Sequence, residues 1–151
     1  MISKKFQNLK IATILPYKED YSFIKASAVS LWVAEFFKNS KFKNNNIIYG
    51  STKSKDFLTK NYVNIKLKSL ESRIISTTNE YTKKLVNEFK NKNFDLIEIH
   101  NRPLILFNLI NKIKNNYIFY FHNDPLTMKG SKSVNERLFI LKNVRKIIFI
   151  S

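Results

Sequence analysis

The chain has 151 residues, no cysteine, 44% hydrophobic and 14% aromatic residues, and a formal net charge of +16. That length and apolar content fit one globular domain and exclude a disordered tail, while the missing thiols exclude disulfides and thiolate metal sites and fit a cytoplasmic setting. Lys and Arg release counterions from phosphates, so the charge invites nucleic acid, but the lysines are scattered along the whole chain, often beside asparagine. A solvated surface is therefore ranked first, a patch facing an anionic membrane second, and nucleic acid last.

Residues 9–15 are apolar and β-branched and stop at Pro16, which marks a first strand. No small-residue cleavage site follows, which argues against a secretory signal, and no apolar run reaches the roughly 20 residues of a membrane-spanning helix. The next loop carries Glu19, Lys25, Ala26 and Ser27. A strand-to-helix turn there offers free N–H groups to an anion such as a diphosphate; the plainer alternative is that Ser27 only caps the helix. Residues 28–37 read as a largely buried helix apolar on nearly every face, with Val29, Trp32, Val33 and Phe36 in one stripe and Leu31 and Phe37 beside it. Residues 46–50 and 62–67 are short strand candidates, and the stretch from Gly50 to Ser76 has the poorest periodicity. Thr77 and Glu80 have capping-box spacing ahead of a helix with Tyr81, Leu85 and Phe89 on one side. A strand over 94–99, a helix opened by Pro103 and carrying Leu106, Phe107, Ile110 and Ile113, and a strand over 117–121 follow. Ser133 and Glu136 form a second capping box ahead of Val134, Leu138 and Leu141, and 146–150 is the last strand.

Strands alternating with helices predict an α/β fold: a Rossmann-like three-layer domain with a mainly parallel sheet, the first strand central, and Ile11, Ile99, Phe121 and Ile148 buried. Residues 1–151 form one domain in this scheme. Ser151 falls on what reads as an inner strand, so the expectation is the amino-terminal portion of a longer protein.

Two apolar strands end alike, in His100-Asn101-Arg102-Pro103 and His122-Asn123-Asp124-Pro125, and these are the chain's only histidines. Carboxyl ends of parallel strands open onto the ligand crevice, which places both imidazoles at a shared edge where chemistry is done. The alternative is a pair of packed structural histidines. No metal is expected, because the spacing matches no compact ligand set and no Asp-x-Asp occurs. With glycine only at 50 and 130, no Gly-x-Gly-x-x-Gly loop exists for a dinucleotide cofactor.

The strings Leu15-Pro16-Tyr17-Lys18-Glu19-Asp20-Tyr21-Ser22, Ala26-Ser27-Ala28, Trp32-Val33-Ala34-Glu35, Ile99-His100-Asn101-Arg102-Pro103, Phe121-His122-Asn123-Asp124-Pro125 and Phe149-Ile150-Ser151 occur in this order. Together they resemble the amino-terminal domain of a family-four (group one) GT-B glycosyltransferase, of the kind similar to spore-coat and lipopolysaccharide glycosyltransferases. The resemblance implies two Rossmann-like domains facing across a cleft, with this acceptor-side half present and the carboxyl-terminal donor-binding domain absent. It implies metal-independent, retaining transfer from a nucleotide-sugar, the sole co-substrate, to a cell-surface glycan or related glycoconjugate. By position His122 would reach the reaction centre, Asn123 and Asp124 would orient it and receive acceptor, and His100, Asn101 and Arg102 would line the acceptor pocket. Glu19, Lys25, Ala26 and Ser27 would face substrate on the loop where the family carries Gly-Gly and this chain has Ala26-Ser27. The chain by itself would be inactive, and the enzyme cytoplasmic, peripheral at the inner face of the membrane. The rivals are a freestanding basic module for nucleic acid or an anionic surface, supported by Lys41-Phe42-Lys43, and a degenerate glycosyltransferase half.

Overall fold

The computed structural model describes residues 8–68 and 76–150. Its strands are β1 (Ile11–Ile14), β2 (Asn46–Gly50), β3 (Tyr62–Asn64), β4 (Leu96–His100), β5 (Tyr117–Phe121) and β6 (Lys146–Phe149). The helices are α1 (Ala28–Asn39), α2 (Thr77–Phe89), α3 (Pro103–Ile110) and α4 (Val134–Asn143). All pairings are parallel, in the order β3-β2-β1-β4-β5-β6. The first strand is thus internal, and the chain reverses direction across the sheet between β1 and β4, where such sheets open a crevice. The Rossmann-like α/β expectation holds.

Alternation along the strands divides the core into two layers. On one face Ala12, Ile14, Ile97, Ile99, Phe119 and Phe121 pack against Tyr81, Leu85 and Phe89 of α2, Ile105, Leu106 and Leu109 of α3, and Ile140 of α4. On the other, Leu15, Ile48 and Tyr62 meet Val29, Val33, Ala34 and Phe37 of α1. The Tyr81 hydroxyl donates to the Leu15 carbonyl at 3.0 Å, tying α2 to the end of β1.

Several sequence expectations are corrected. Helix α1 is buried on one face only, with Leu31 and Phe36 exposed, because among the described residues no other helix packs on its side of the sheet. Ile148 is half-buried rather than buried: β6 is an edge strand, and among the described residues no helix covers that corner. Helix α4 buries Ile140 and sets Phe139 edge-on to Phe107 at 4.7 Å, while Val134, Leu138 and Leu141 are exposed. The third strand ends at Asn64, short of residue 67, as suits a sheet edge. The cap of α2 is Ser76, whose hydroxyl accepts from the Asn79 N–H, and Thr77 is the first helical residue. Glu80 is drawn inward, accepting from the Lys68 N–H at 2.8 Å and pairing with Lys84 at 3.0 Å. The Ser133–Glu136 capping box forms reciprocally. Among the described residues no helix is long and apolar enough to cross a membrane.

Candidate functional site

Strands β4 and β5 are neighbours with His100 opposite Tyr120, so the two His-Asn ends emerge side by side at the carboxyl edge. They are laced together. The Asn101 N–H donates to the Tyr120 carbonyl at 2.8 Å, the Asn101 side-chain oxygen accepts from the His122 N–H at 3.2 Å, and its amide nitrogen donates to Asn123 Oδ1 at 3.3 Å. Asn101 achieves this at φ 53°, a left-handed conformation that asparagine adopts more readily than most residues.

His100 Nδ1 lies 2.8 Å from His122 Nε2. One nitrogen donates and the other accepts, so the contact needs at least one neutral ring on the accepting side. His100 is 1% exposed and stacks on Tyr120, ring centroids 4.4 Å apart, while Trp32 of α1 closes edge-on over His122 at 5.3 Å. Burial, and secondarily the facing His122, holds His100 well below the ordinary imidazole range. Burial also lowers His122. The pair is neutral at pH 7.

Behind it runs a buried polar row. The Tyr120 hydroxyl donates to Glu98 Oε1 at 3.1 Å, and Thr13 Oγ1 lies 2.8 Å from Glu98 Oε2 and 3.0 Å from Asn46 Oδ1. Burial pushes the Glu98 carboxyl up. Thr13 has one hydroxyl hydrogen for two oxygens. The hydroxyl therefore donates to Glu98 Oε2 or to Asn46 Oδ1 and not to both at once.

In front lies a polar pocket of about 310 Å³ lined by Glu19, Asn101, Arg102, Asn123, Thr127 and Lys129, among others. A second pocket, of about 440 Å³, shares Arg102 and Lys129 and reaches Tyr17, Thr77 and Asn108. The Arg102 guanidinium sits over the Tyr17 ring at 5.3 Å. Four sequence-predicted residues therefore meet in the crevice: Glu19, Asn101, Arg102 and Asn123. Neither histidine lines either pocket: His122 is half-buried and His100 enclosed, each next in sequence to an asparagine that does line the crevice.

The others are placed elsewhere. Asp124 caps the following 3₁₀ turn, accepting from the Leu126 N–H at 2.9 Å. Ser27 caps α1, accepting from the Ser30 N–H at 3.1 Å, which is the plainer of its two alternatives. Lys25 is exposed, and Ala26 packs against the α1 core. None of these four lines the pockets beside Asn101 and Asn123. Sequence reasoning missed Tyr17, Lys129, Glu98, Tyr120 and Trp32 as parts of the site. A faint signal existed for two of them: Tyr17 follows the proline ending β1, and Lys129 precedes Gly130, whose φ of 92° turns the chain back beneath Pro103 and Leu104.

Among the described residues no group of three or more His, Asp or Glu is placed to hold a metal ion. No family model matches the chain, and no curated protein matches it.

Proposed function

We propose that this domain is the acceptor-binding half of a retaining glycosyltransferase that moves a sugar from a nucleotide-sugar to a cell-surface glycan or related glycoconjugate. One observation carries the reading: the two His-Asn strand ends converge at the carboxyl edge of the sheet, with the imidazoles 2.8 Å apart and both asparagines lining a polar crevice. Asn101, Arg102, Asn123 and Glu19 supply the mixed donors and acceptors that sugar hydroxyls require. His122 is the side chain nearest in role to the transferred sugar, and Arg102 sits where it would meet negative charge on the acceptor or on the leaving group. Chemistry of this kind is positional and electrostatic: hydrogen bonds aimed at developing charge, in a cleft closed by a second, donor-binding Rossmann-like domain. Its setting would be cytoplasmic, peripheral at the inner face of the membrane.

The test is sugar transfer by the full-length product of the coding sequence, offered a panel of labelled nucleotide-sugars with cell-envelope glycolipid as acceptor. Label should enter glycan with retained anomeric configuration, and His122→Ala should lower the rate roughly 10²-fold or more while the fold survives, the cost of losing one positioned group. His122→Ala transferring at the parent rate removes its catalytic role. No transfer from any donor, together with salt-sensitive retention on nucleic acid, would hand the protein to the basic-module rival.

A further inference from the structure

A third pocket, of about 580 Å³, opens at the same carboxyl edge beyond β2 and β3, and four lysines line it: Lys18, Lys53, Lys55 and Lys66. Among the described residues no acidic one does. Among the described residues the ion pairs are Lys84–Glu80 and Lys92–Glu88, so these four ammonium groups have no carboxylate partner there. Their scaffold is fixed. Buried Thr52 exchanges two hydrogen bonds of 2.8 Å with Asn64, its hydroxyl meets the Tyr62 hydroxyl at 2.8 Å, and it accepts from the Tyr21 N–H at 2.9 Å. Lys53 and Lys55 therefore project from a loop anchored at its base, and an anion binding among them orders little new backbone.

The pocket is continuous with the crevice. It shares Tyr17 and Thr77 with the pocket that in turn shares Arg102 and Lys129 with the one at Asn101 and Asn123. From β5 to β3 is four inter-strand steps, a trough of about 19 Å. One end carries Asn101 and Asn123, next in sequence to the histidines, and the other carries four lysines with no carboxylate partner among the described residues.

We propose that the lysine pocket is a phosphate subsite: the molecule received at the His100–His122 end bears a phosphate group, on its glycan or on its lipid carrier, that docks among Lys18, Lys53, Lys55 and Lys66. That the molecule is a glycosyl acceptor rests on the proposed function; that the pocket takes a phosphate rests on the lysines alone. Charge-assisted hydrogen bonds from several ammonium groups suit a multiply charged oxyanion, and a trough of this length suits an extended ligand.

The experiment is an amide NMR titration of the 151-residue chain with inorganic pyrophosphate. Saturable shifts should concentrate at residues 51–55 and 64–66. The double variant K53A/K55A should weaken binding at least tenfold, and K112A/K114A, which removes two exposed lysines at the opposite edge of the sheet, should leave it unchanged. Shifts that never saturate, or equal losses in both variants, overturn the proposal in favour of the chain's general charge. Phosphatidic acid vesicles and a soluble phosphorylated oligosaccharide are then used as competitors. Displacement by the oligosaccharide assigns the phosphate to the glycan, displacement by the vesicles assigns it to the carrier, and displacement by neither overturns the subsite. Saturable pyrophosphate binding by a protein that transfers no sugar sinks the glycosyltransferase reading alone; sugar transfer without saturable binding sinks the subsite alone.

Discussion

His100 and His122 are the residues on which sequence and structure meet most directly. Their place at two strand ends was legible from the chain, because a strand that stops at a proline shows where its carboxyl end lies. Their 2.8 Å contact was not, since nothing local states that β4 and β5 are neighbours. The contact has a pH consequence. Both folded values lie below the unfolded value of about 6.5. Above that value neither state binds the protons and the contribution is fully present. Below it the unfolded chain takes up protons that the folded pair refuses, so stability falls as pH falls toward the depressed folded values. Urea midpoints measured at pH 7.5 and 5.5 should therefore drop more for the parent than for His100→Phe, which keeps a ring against Tyr120 and removes one titrating group. Equal drops would contradict a neutral pair. The lysines, Glu98 and Tyr120 teach the converse: a side chain becomes part of a site through neighbours remote in sequence, and Glu98 read alone is only a polar interruption in an apolar strand.

At the scale of elements, periodicity located helices well and assigned their faces poorly. Helix α2 was read correctly, with Tyr81, Leu85 and Phe89 all buried. Helix α1 was read as more buried than it is, because a pattern records which positions are apolar and not whether a partner covers them. Capping shows the same limit. Ser133 and Glu136 form their box, whereas the Glu80 carboxylate turns away from the Ser76 cap to the Lys68 N–H, a backbone group outside the helix, and to Lys84 one turn further along α2. The contrast between helices is measurable. Leu85, fully buried between α2 and the sheet, should cost about 2–5 kcal/mol when changed to Ala, while the exposed Leu138→Ala on α4 should stay within about 0.5 kcal/mol. Denaturant unfolding of the two variants decides it, and comparable losses would mean that α4 is buried in solution against something the isolated chain does not show.

For the molecule as a whole, charge is the dominant feature. A formal +16 on 151 residues leaves most cations without a carboxylate to meet, and self-repulsion opposes the compact state. Screening shortens that repulsion to about 8 Å at physiological ionic strength, so raising sodium chloride from 20 to 300 mM should raise Tm. A fall in Tm would show that attractive pairs outweigh repulsion after all. The sequence by itself determined the α/β alternation, the parallel sheet with an internal first strand, and the edge on which His100, Asn101, His122 and Asn123 would appear, because strand and helix periods and the geometry of crossovers are local properties of the chain. Only the tertiary structure decided that the two imidazoles touch, that Asp124 and Ser27 are occupied as caps, that Ile148 lies on an uncovered edge, and that four lysines from three strand ends share one pocket. Those outcomes depend on strand order and on which face finds a partner, and both are set by the packing of segments far apart in sequence.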